Sequence, residues 1–207
     1  MRESLARVLL AGVSGVRVPG IVRREAGSIR PGFLPIGFSD PFTSGGERLR
    51  IAAFARSEDI LRATTPYEVA SLPVPDRSSA MQALAAAKER ASFLDLPFGV
   101  WGSAAIELYT GLPCTGRASD LDLIVGATAH LEKLSSFAGE VACLERDFHL
   151  RIDVEVDLPC GYGVQLKELL GGGRTVLGKG LKNVALLPRS EVLTDLALAC
   201  RPARDAL

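Results

Sequence analysis

Two segments of this chain alternate between acidic and apolar residues. Residues 120–125 read Asp-Leu-Asp-Leu-Ile-Val, and residues 151–157 read Arg-Ile-Asp-Val-Glu-Val-Asp. Because successive side chains point to opposite faces of a β-strand, each pattern predicts a strand with one apolar face and one acidic face. If the two strands are neighbours in one sheet, their apolar faces share a core and their acidic faces lie together on the other side.

The acidic faces form a candidate metal site. Asp120 and Asp122 would lie roughly 6–7 Å apart at their Cα atoms on one face of a strand. Carboxylates at this spacing repel each other unless a cation lies between them, and Mg²⁺ prefers such oxygen ligands. If the second strand is adjacent, Asp153 completes a three-carboxylate cluster that can hold two ions. Each strand alone fits a half-exposed strand with a solvated acidic face equally well.

A glycine-serine turn precedes these strands. Residues 98–105 read Phe-Gly-Val-Trp-Gly-Ser-Ala-Ala, which predicts an apolar strand that ends at Gly102 and a helix capped by Ser103. The missing side chain would let a phosphate approach, and the free N–H groups of the helix start would favour an anion. An ordinary strand–turn–helix junction has the same pattern. Its position before two acidic strands favours metal-dependent phosphate chemistry.

The chain is predicted to have an α+β fold in two parts. Residues 1–76 are rich in Gly and Pro and contain short apolar runs, which predicts a small N-terminal α+β domain. Pro73 and Pro75 mark the linker, since neither continues a helix. Residues 77–207 alternate strand and helix patterns, which predicts a mixed sheet flanked by helices. Helices are expected at 78–90, from 103, near 130–137 and at 190–199.

Composition narrows the class of protein. The 24 basic and 24 acidic residues cancel, so nothing in the overall charge favours a nucleic-acid partner. The apolar run at 8–16 is interrupted by Gly and Ser and is too short to span a bilayer, which predicts a cytoplasmic protein without a membrane partner. No cysteine pair has C-x-x-C spacing, which argues against a zinc-thiolate site. Reduced, mostly buried thiols are expected at Cys114, Cys143, Cys160 and Cys200.

The order of these motifs resembles the polymerase-β-type nucleotidyltransferase superfamily. In that superfamily an apolar-Gly-Ser turn is followed by an Asp-x-Asp strand and later by an apolar-Asp-apolar strand. The resemblance implies a nucleotidyltransferase-type sheet in which Gly102 and Ser103 bind phosphate. It further implies that Asp120 and Asp122 bind the metal and that Asp153 is the third carboxylate.

A narrower resemblance covers residues 98–190. Residues 102–113 read Gly-Ser-Ala-Ala-Ile-Glu-Leu-Tyr-Thr-Gly-Leu-Pro, residues 119–123 Ser-Asp-Leu-Asp-Leu, and residues 176–189 Val-Leu-Gly-Lys-Gly-Leu-Lys-Asn-Val-Ala-Leu-Leu-Pro-Arg. This wording is similar to the phosphoribosyl-dephospho-CoA transferase family of malonate decarboxylase, also called its holo-acyl-carrier-protein synthases. The segments 20–24, 34–38 and 49–52 match more loosely.

This resemblance implies a defined reaction. The substrate would be 2′-(5″-triphosphoribosyl)-3′-dephospho-CoA, and the acceptor a serine of the apo acyl-carrier subunit of malonate decarboxylase, with release of pyrophosphate. Mg²⁺, as two ions, would be held by the three carboxylates. Gly102, Ser103 and the helix start would hold the β and γ phosphates.

Several alternatives stay open on the residues alone. Lys179 and Lys182 follow a glycine-rich turn and could neutralise phosphate charge, although such lysines are most often solvated. Glu155 shares a face with Asp153 and is an alternative third ligand. The chain could also be a nucleotidyltransferase that uses an ordinary nucleoside triphosphate on a small molecule or another protein. A non-catalytic nucleotide-binding relic is a further alternative, against which the intact carboxylates count.

Overall fold

A three-stranded antiparallel sheet lies near the N-terminus of the computed structural model, which describes residues 12, 15–24, 30–40, 50–117, 119–126 and 130–199. Its strand order is β1 (Ile21–Val22), β2 (Phe33–Ser39) and β3 (Arg50–Arg56). A single 3₁₀ turn at Ser57–Asp59 and a short helix, α1 (Pro66–Ala70), follow. Thr65 caps α1, since its hydroxyl accepts from Glu68 N while the Glu68 carboxylate accepts from Thr65 N.

The remaining elements build a six-stranded mixed sheet with helices. In chain order they are α2 (Ser79–Phe93), β4 (Phe98–Val100), α3 (Gly102–Thr110), β5 (Leu121–Gly126), α4 (Leu131–Phe148), β6 (Ile152–Asp157), β7 (Tyr162–Gln165), α5 (Leu166–Leu170), β8 (Thr175–Gly180), β9 (Val184–Pro188) and α6 (Arg189–Ala199). The strand order is β4-β5-β6-β7-β8-β9. The neighbouring strands pair antiparallel, except that β5 and β6 are parallel. The predicted α+β fold is confirmed.

The two acidic strands are neighbours and run parallel. Helix α4 connects them, since parallel strands need a crossover connection. Residues along β6 alternate between buried and half-buried positions, with the apolar residues buried. The apolar faces of β5 and β6 pack against α2 and α4 in one core. Its largest fully buried side chains include Phe137, Met81, Leu84, Leu121, Leu123, Leu134 and Ile152. The sequence pattern therefore determines which face of the sheet meets solvent.

Helix α1 covers part of the opposite face of the sheet. A Cβ added at Gly99 in β4 would contact both Ile124 Cγ2 and Pro66, so the helix lies directly on the strand pair. Val69 and Ala70 of α1 are buried in the core of the large sheet. The division of the chain after residue 76 stays a prediction, although α1, which precedes it, packs with the elements that follow it.

Some elements differ from the prediction. The sequence pattern did not predict β7 and α5, which are only four and five residues long, too short to show a period. Helix α4 continues to Phe148, beyond the predicted 130–137, and buries Leu134, Phe137, Val141 and Leu144 along one side. Of the described cysteines, Cys114 is buried but Cys143 and Cys160 are exposed, so the expectation of mostly buried thiols is wrong. Cys200 lies outside the described residues.

Within the described residues, every helix is too short or too polar to cross a membrane.

Candidate active site

Asp122 and Asp153 are directly opposite each other in the parallel pairing of β5 and β6. Both side chains are half-buried on the face that carries the acids. Asp120 immediately precedes β5 and is exposed, at the end of the strand where Leu121 N donates to Arg151 O at 2.9 Å. The structure therefore brings the three predicted carboxylates to one end of one strand pair.

The glycine-serine turn lies against the same strand. Trp101 N donates to Asp122 O at 2.9 Å, which extends the pairing of β4 with β5 by one residue. Gly102 has a left-handed φ of +60°, and a Cβ there would overlap the Asp122 carboxylate oxygen Oδ2. Both the backbone conformation and the close approach require glycine at this position. The glycine-serine turn is therefore in direct contact with the Asp122 carboxylate.

Ser103 does not cap the helix, so that prediction is wrong. Helix α3 begins at Gly102, and its N-cap is Trp101, whose side chain makes no capping hydrogen bond. Ser103 is therefore the second residue of the helix, and in the described part of the chain its hydroxyl has no hydrogen-bond partner. The serine adds a polar group at the helix start without using it for helix capping.

The charge around Asp122 is predominantly negative. Burial raises the pKa of Asp122, and the carboxylates of Asp153, Asp120 and Glu155 raise it further, in that order. Arg151 is the cation that opposes this shift. The site therefore favours any further positive charge that can approach Asp122.

Arg151 is a site residue that the sequence interpretation missed. Its Nη2 donates to Asp153 Oδ2 at 2.5 Å, while Gln165 Nε2 donates to Asp153 Oδ1 at 3.4 Å. An arginine two positions before an aspartate in an extended segment lies on the same face, and this spacing was the available signal. Arg151 is 62% exposed, so the guanidinium holds the carboxylate from the solvent side.

The second acid of β6 has its own partner. Lys179 Nζ donates to Glu155 Oε1 at 2.7 Å, and both side chains are partly buried. Lys182 lies in the exposed turn between β8 and β9 and forms no ion pair within the described residues. The structure thus brings Lys179 next to the acidic face through Glu155, whereas Lys182 lies at the end of the hairpin. Phosphate binding by either lysine stays a prediction.

The donor chemistry of this site fits Mg²⁺. Asp120, Asp122 and Asp153 offer hard carboxylate oxygens at one end of the β5–β6 pair, and only a glycine at position 102 lets the turn approach the Asp122 carboxylate this closely. The described part of the chain contains no group of three or more Asp, Glu, His or Cys residues already arranged to hold a metal ion. The guanidinium of Arg151 is paired with the Asp153 carboxylate.

A buried polar network positions the segment between α3 and Asp120. Glu107 of α3 is 2% exposed, and it binds Arg77 through Nε at 2.8 Å and Nη2 at 2.7 Å. The same carboxylate accepts from Thr115 N at 2.6 Å, and Ser78 Oγ lies 2.7 Å from Thr115 Oγ1. The start of α2, the middle of α3 and the loop leading to β5 are therefore joined. A single acid within the apolar run of α3 was the sequence signal for this network.

The sequence that forms this site matches a known protein family. A family model described as the C-terminal domain of the phosphoribosyl-dephospho-CoA transferase MdcG matches residues 69–190. The chain belongs to this transferase family. The matched segment contains the turn, all three carboxylates and both lysines of the candidate active site.

Relatives of the family cover most of the chain. A phosphoribosyl-dephospho-CoA transferase of Xanthomonas campestris pv. campestris (strain 8004) is 32% identical over 187 residues, which is 87% of this chain and 84% of the relative. One from Xanthomonas axonopodis pv. citri (strain 306) is 32% identical over 190 residues, 91% of this chain and 84% of the relative. One from Pseudomonas putida (strain GB-1) is 33% identical over 134 residues, which is 65% of this chain and 64% of the relative. No solved structure matches the chain significantly.

Proposed function

We propose that this protein transfers the phosphoribosyl-dephospho-CoA group from 2′-(5″-triphosphoribosyl)-3′-dephospho-CoA to a serine of the apo acyl-carrier subunit of malonate decarboxylase. Family membership supports the transferred group. The observation that carries the chemistry is the pair Asp122 and Asp153, adjacent on parallel strands and walled on one side by Gly102. We further propose that the protein acts in the cytoplasm.

The reaction is a displacement at phosphorus. The serine Oγ bonds to the phosphorus nearest the ribose, the bond from that phosphorus to the bridging oxygen of the β-phosphate breaks, and pyrophosphate leaves with both electrons of that bond. The serine proton moves to a base or to solvent. Such a transfer needs little covalent participation from the protein, so positioning and charge stabilisation carry most of the catalysis.

Each site residue has a proposed role in this displacement. Asp120 and Asp122 would hold Mg²⁺, which when bound neutralises charge on the triphosphate. Gly102 and the N–H groups at the start of α3 accommodate the terminal phosphates, since no side chain intervenes and the helix start favours anions. Asp153, on the neighbouring strand, is placed to bind a second ion or to take the proton of the serine. Ser103 contributes a hydroxyl that no described residue engages.

Arg151 sets the charge state of this arrangement before substrate arrives. Its guanidinium neutralises Asp153 and thereby lowers the repulsion on Asp122. Since the side chain is long and 62% exposed, it can turn from Asp153 to a phosphate oxygen without moving the backbone. We therefore assign Arg151 to the binding of the triphosphate.

The function is tested by mass spectrometry of the apo carrier subunit. The subunit is incubated with this protein, Mg²⁺ and the triphosphoribosyl precursor, and the expected result is a mass increase of one phosphoribosyl-dephospho-CoA unit on one serine, with pyrophosphate released. The Asp122→Asn variant serves as the inactive control. No mass increase with the wild-type protein would refute the proposal. Pyrophosphate release from ATP or CTP instead would indicate the general nucleotidyltransferase alternative.

A further inference from the structure

The outward face of the β8–β9 hairpin is apolar, although it lies at the edge of the large sheet. Leu177 and Leu186 are directly opposite each other, and Val184 lies two positions from Leu186 on the same face. These three side chains, which we name the edge strip, are 36%, 70% and 44% exposed, respectively. Leu181, in the turn of the hairpin, is 63% exposed.

The edge strip continues the acidic face of the candidate active site. Lys179 is the register partner of both Gly163 in β7 and Val184 in β9, and it donates to Glu155 of β6. Because directly paired residues point to the same side of a sheet, these contacts place the strip on the face that carries Asp153. Neighbouring strands are about 4.8 Å apart, so β8 and β9 lie roughly 10–14 Å from β6 across this face.

Basic side chains surround the edge strip at both ends. Arg24 Nε donates to Gly180 O at 2.8 Å, which places this exposed arginine at the turn end beside Lys182. Arg174 precedes β8 at the other end and is also exposed. An acidic residue, Glu168, also lies next to the edge strip, and its carboxylate accepts from Leu177 N at 3.0 Å. The rim is therefore positive.

These features describe a surface for another protein. Among the strands that the structure describes, β9 pairs only with β8, and contiguous exposed apolar side chains beside unpaired backbone groups typify an interaction site. A small ligand is bound in a concave site that buries most of its surface, which an open strand face does not provide. A positive rim selects a partner of negative charge and orients it.

Building on the proposed function, we propose that the edge strip is the docking surface for the acceptor of the transfer, an acidic carrier protein. The acceptor lies on β8 and β9, with acidic groups against Arg24, Lys182 and Arg174. Its serine then extends along the sheet face, past the Glu155–Lys179 pair, to Asp153. The serine would have to cross the roughly 10–14 Å that separate β8 and β9 from β6.

The test measures carrier binding separately from substrate binding. Leu186→Glu places a carboxylate in the edge strip and should raise the KM for the apo carrier subunit at least tenfold. Arg174→Glu should raise it by about three- to fivefold and weaken its dependence on salt. In both variants the KM for the triphosphoribosyl precursor, and kcat at saturating carrier, should stay within twofold of wild type. Leu61→Glu is the matched control, since Leu61 is 91% exposed and lies outside both sheets.

Several outcomes would overturn this assignment. An unchanged carrier KM in Leu186→Glu would exclude the strip, as would a raised precursor KM, which would assign it to the organic part of the substrate. A wild-type dimer that Leu186→Glu dissociates in sedimentation experiments would assign the strip to a second copy of the chain. If wild type modifies no carrier, the proposed function fails and the docking surface fails with it. If wild type modifies the carrier and Leu186→Glu has the same KM for it, the docking surface is refuted while the proposed function stands.

Discussion

Asp122 and Asp153 are register partners on adjacent parallel strands, each with a half-buried carboxylate on the same face of the sheet. Two such groups repel each other, and Arg151 is the cation among the described residues that opposes the raised pKa of Asp122. The fold therefore carries an electrostatic strain that a bound cation would relieve. Sites of this kind commonly cost stability in exchange for function.

The first prediction concerns the stability of Asp122→Asn without metal. The raised pKa of Asp122 means that ionisation of this carboxyl is less favourable in the folded than in the unfolded protein. Its destabilising effect therefore grows as the pH rises through the folded-state pKa and disappears below the unfolded-state pKa. Asp122→Asn should raise the Tm in EDTA at neutral pH, while transfer activity is lost. Calorimetry at neutral and acidic pH measures the difference.

Asp195→Asn is the control for this first prediction. Asp195 is exposed on α6, so its replacement should leave both Tm and transfer nearly unchanged. Added Mg²⁺ should raise the Tm of wild type and of Asp195→Asn, but not that of Asp122→Asn. A lower Tm for Asp122→Asn in EDTA would contradict the electrostatic argument.

The second prediction separates backbone strain from close approach at Gly102. Gly111 ends the same helix with a φ of +71°, but nothing lies within 4 Å of a Cβ there, whereas a Cβ at Gly102 would overlap Asp122. Each alanine variant should lose about 1–2 kcal/mol of stability through its left-handed φ. Gly102→Ala should in addition reduce kcat/KM at least about tenfold, equivalent to about 1.4 kcal/mol. Equal activity in the two variants would show that the contact with Asp122 is unimportant.

The third prediction concerns the network that joins α2, α3 and the loop before β5. Arg77→Met removes the cation paired with Glu107, which is 2% exposed, and leaves the carboxylate with only its hydrogen bonds from Thr115 among the described residues. The free energy of unfolding, from urea titration, should fall by about 3 kcal/mol. Arg90→Met is the control, because its pair with Glu140 is 3.4 Å long and exposed, worth at most about 1 kcal/mol. Similar losses in both variants would contradict a special role for Arg77.

The fourth prediction is the pH dependence of the same network. Burial works to raise the pKa of Glu107, but hydrogen bonds from Arg77 and Thr115 outweigh it, so the pKa lies below its usual value. The resulting stabilisation is complete above the unfolded-state pKa, about 4.3, and is lost as the pH falls through the lower folded-state value. Glu107→Gln should therefore lose about 2 kcal/mol at neutral pH. Urea titrations should show this loss shrinking toward acidic pH; a constant loss would refute the explanation.

Much of the fold could be predicted because it depends on local patterns. The alternation in β5 and β6 determines which side chains are buried, and the start of α2 follows from Ser78, whose hydroxyl accepts from Met81 N. Short elements escaped prediction because β7 and α5 have too few residues to show a period. The prediction that Ser103 caps the helix was wrong because α3 begins one residue earlier, at Gly102, so that Trp101 is the N-cap.

The carboxylates and their common face follow from the sequence, since side-chain alternation is a local property of an extended chain. Two features needed the tertiary structure: the parallel register that pairs Asp122 with Asp153, and the Glu107 network before Asp120. Each depends on contacts between separate elements whose packing no local period encodes. Residue types thus indicate which chemistry is possible, and the packing of distant segments decides which of those groups meet.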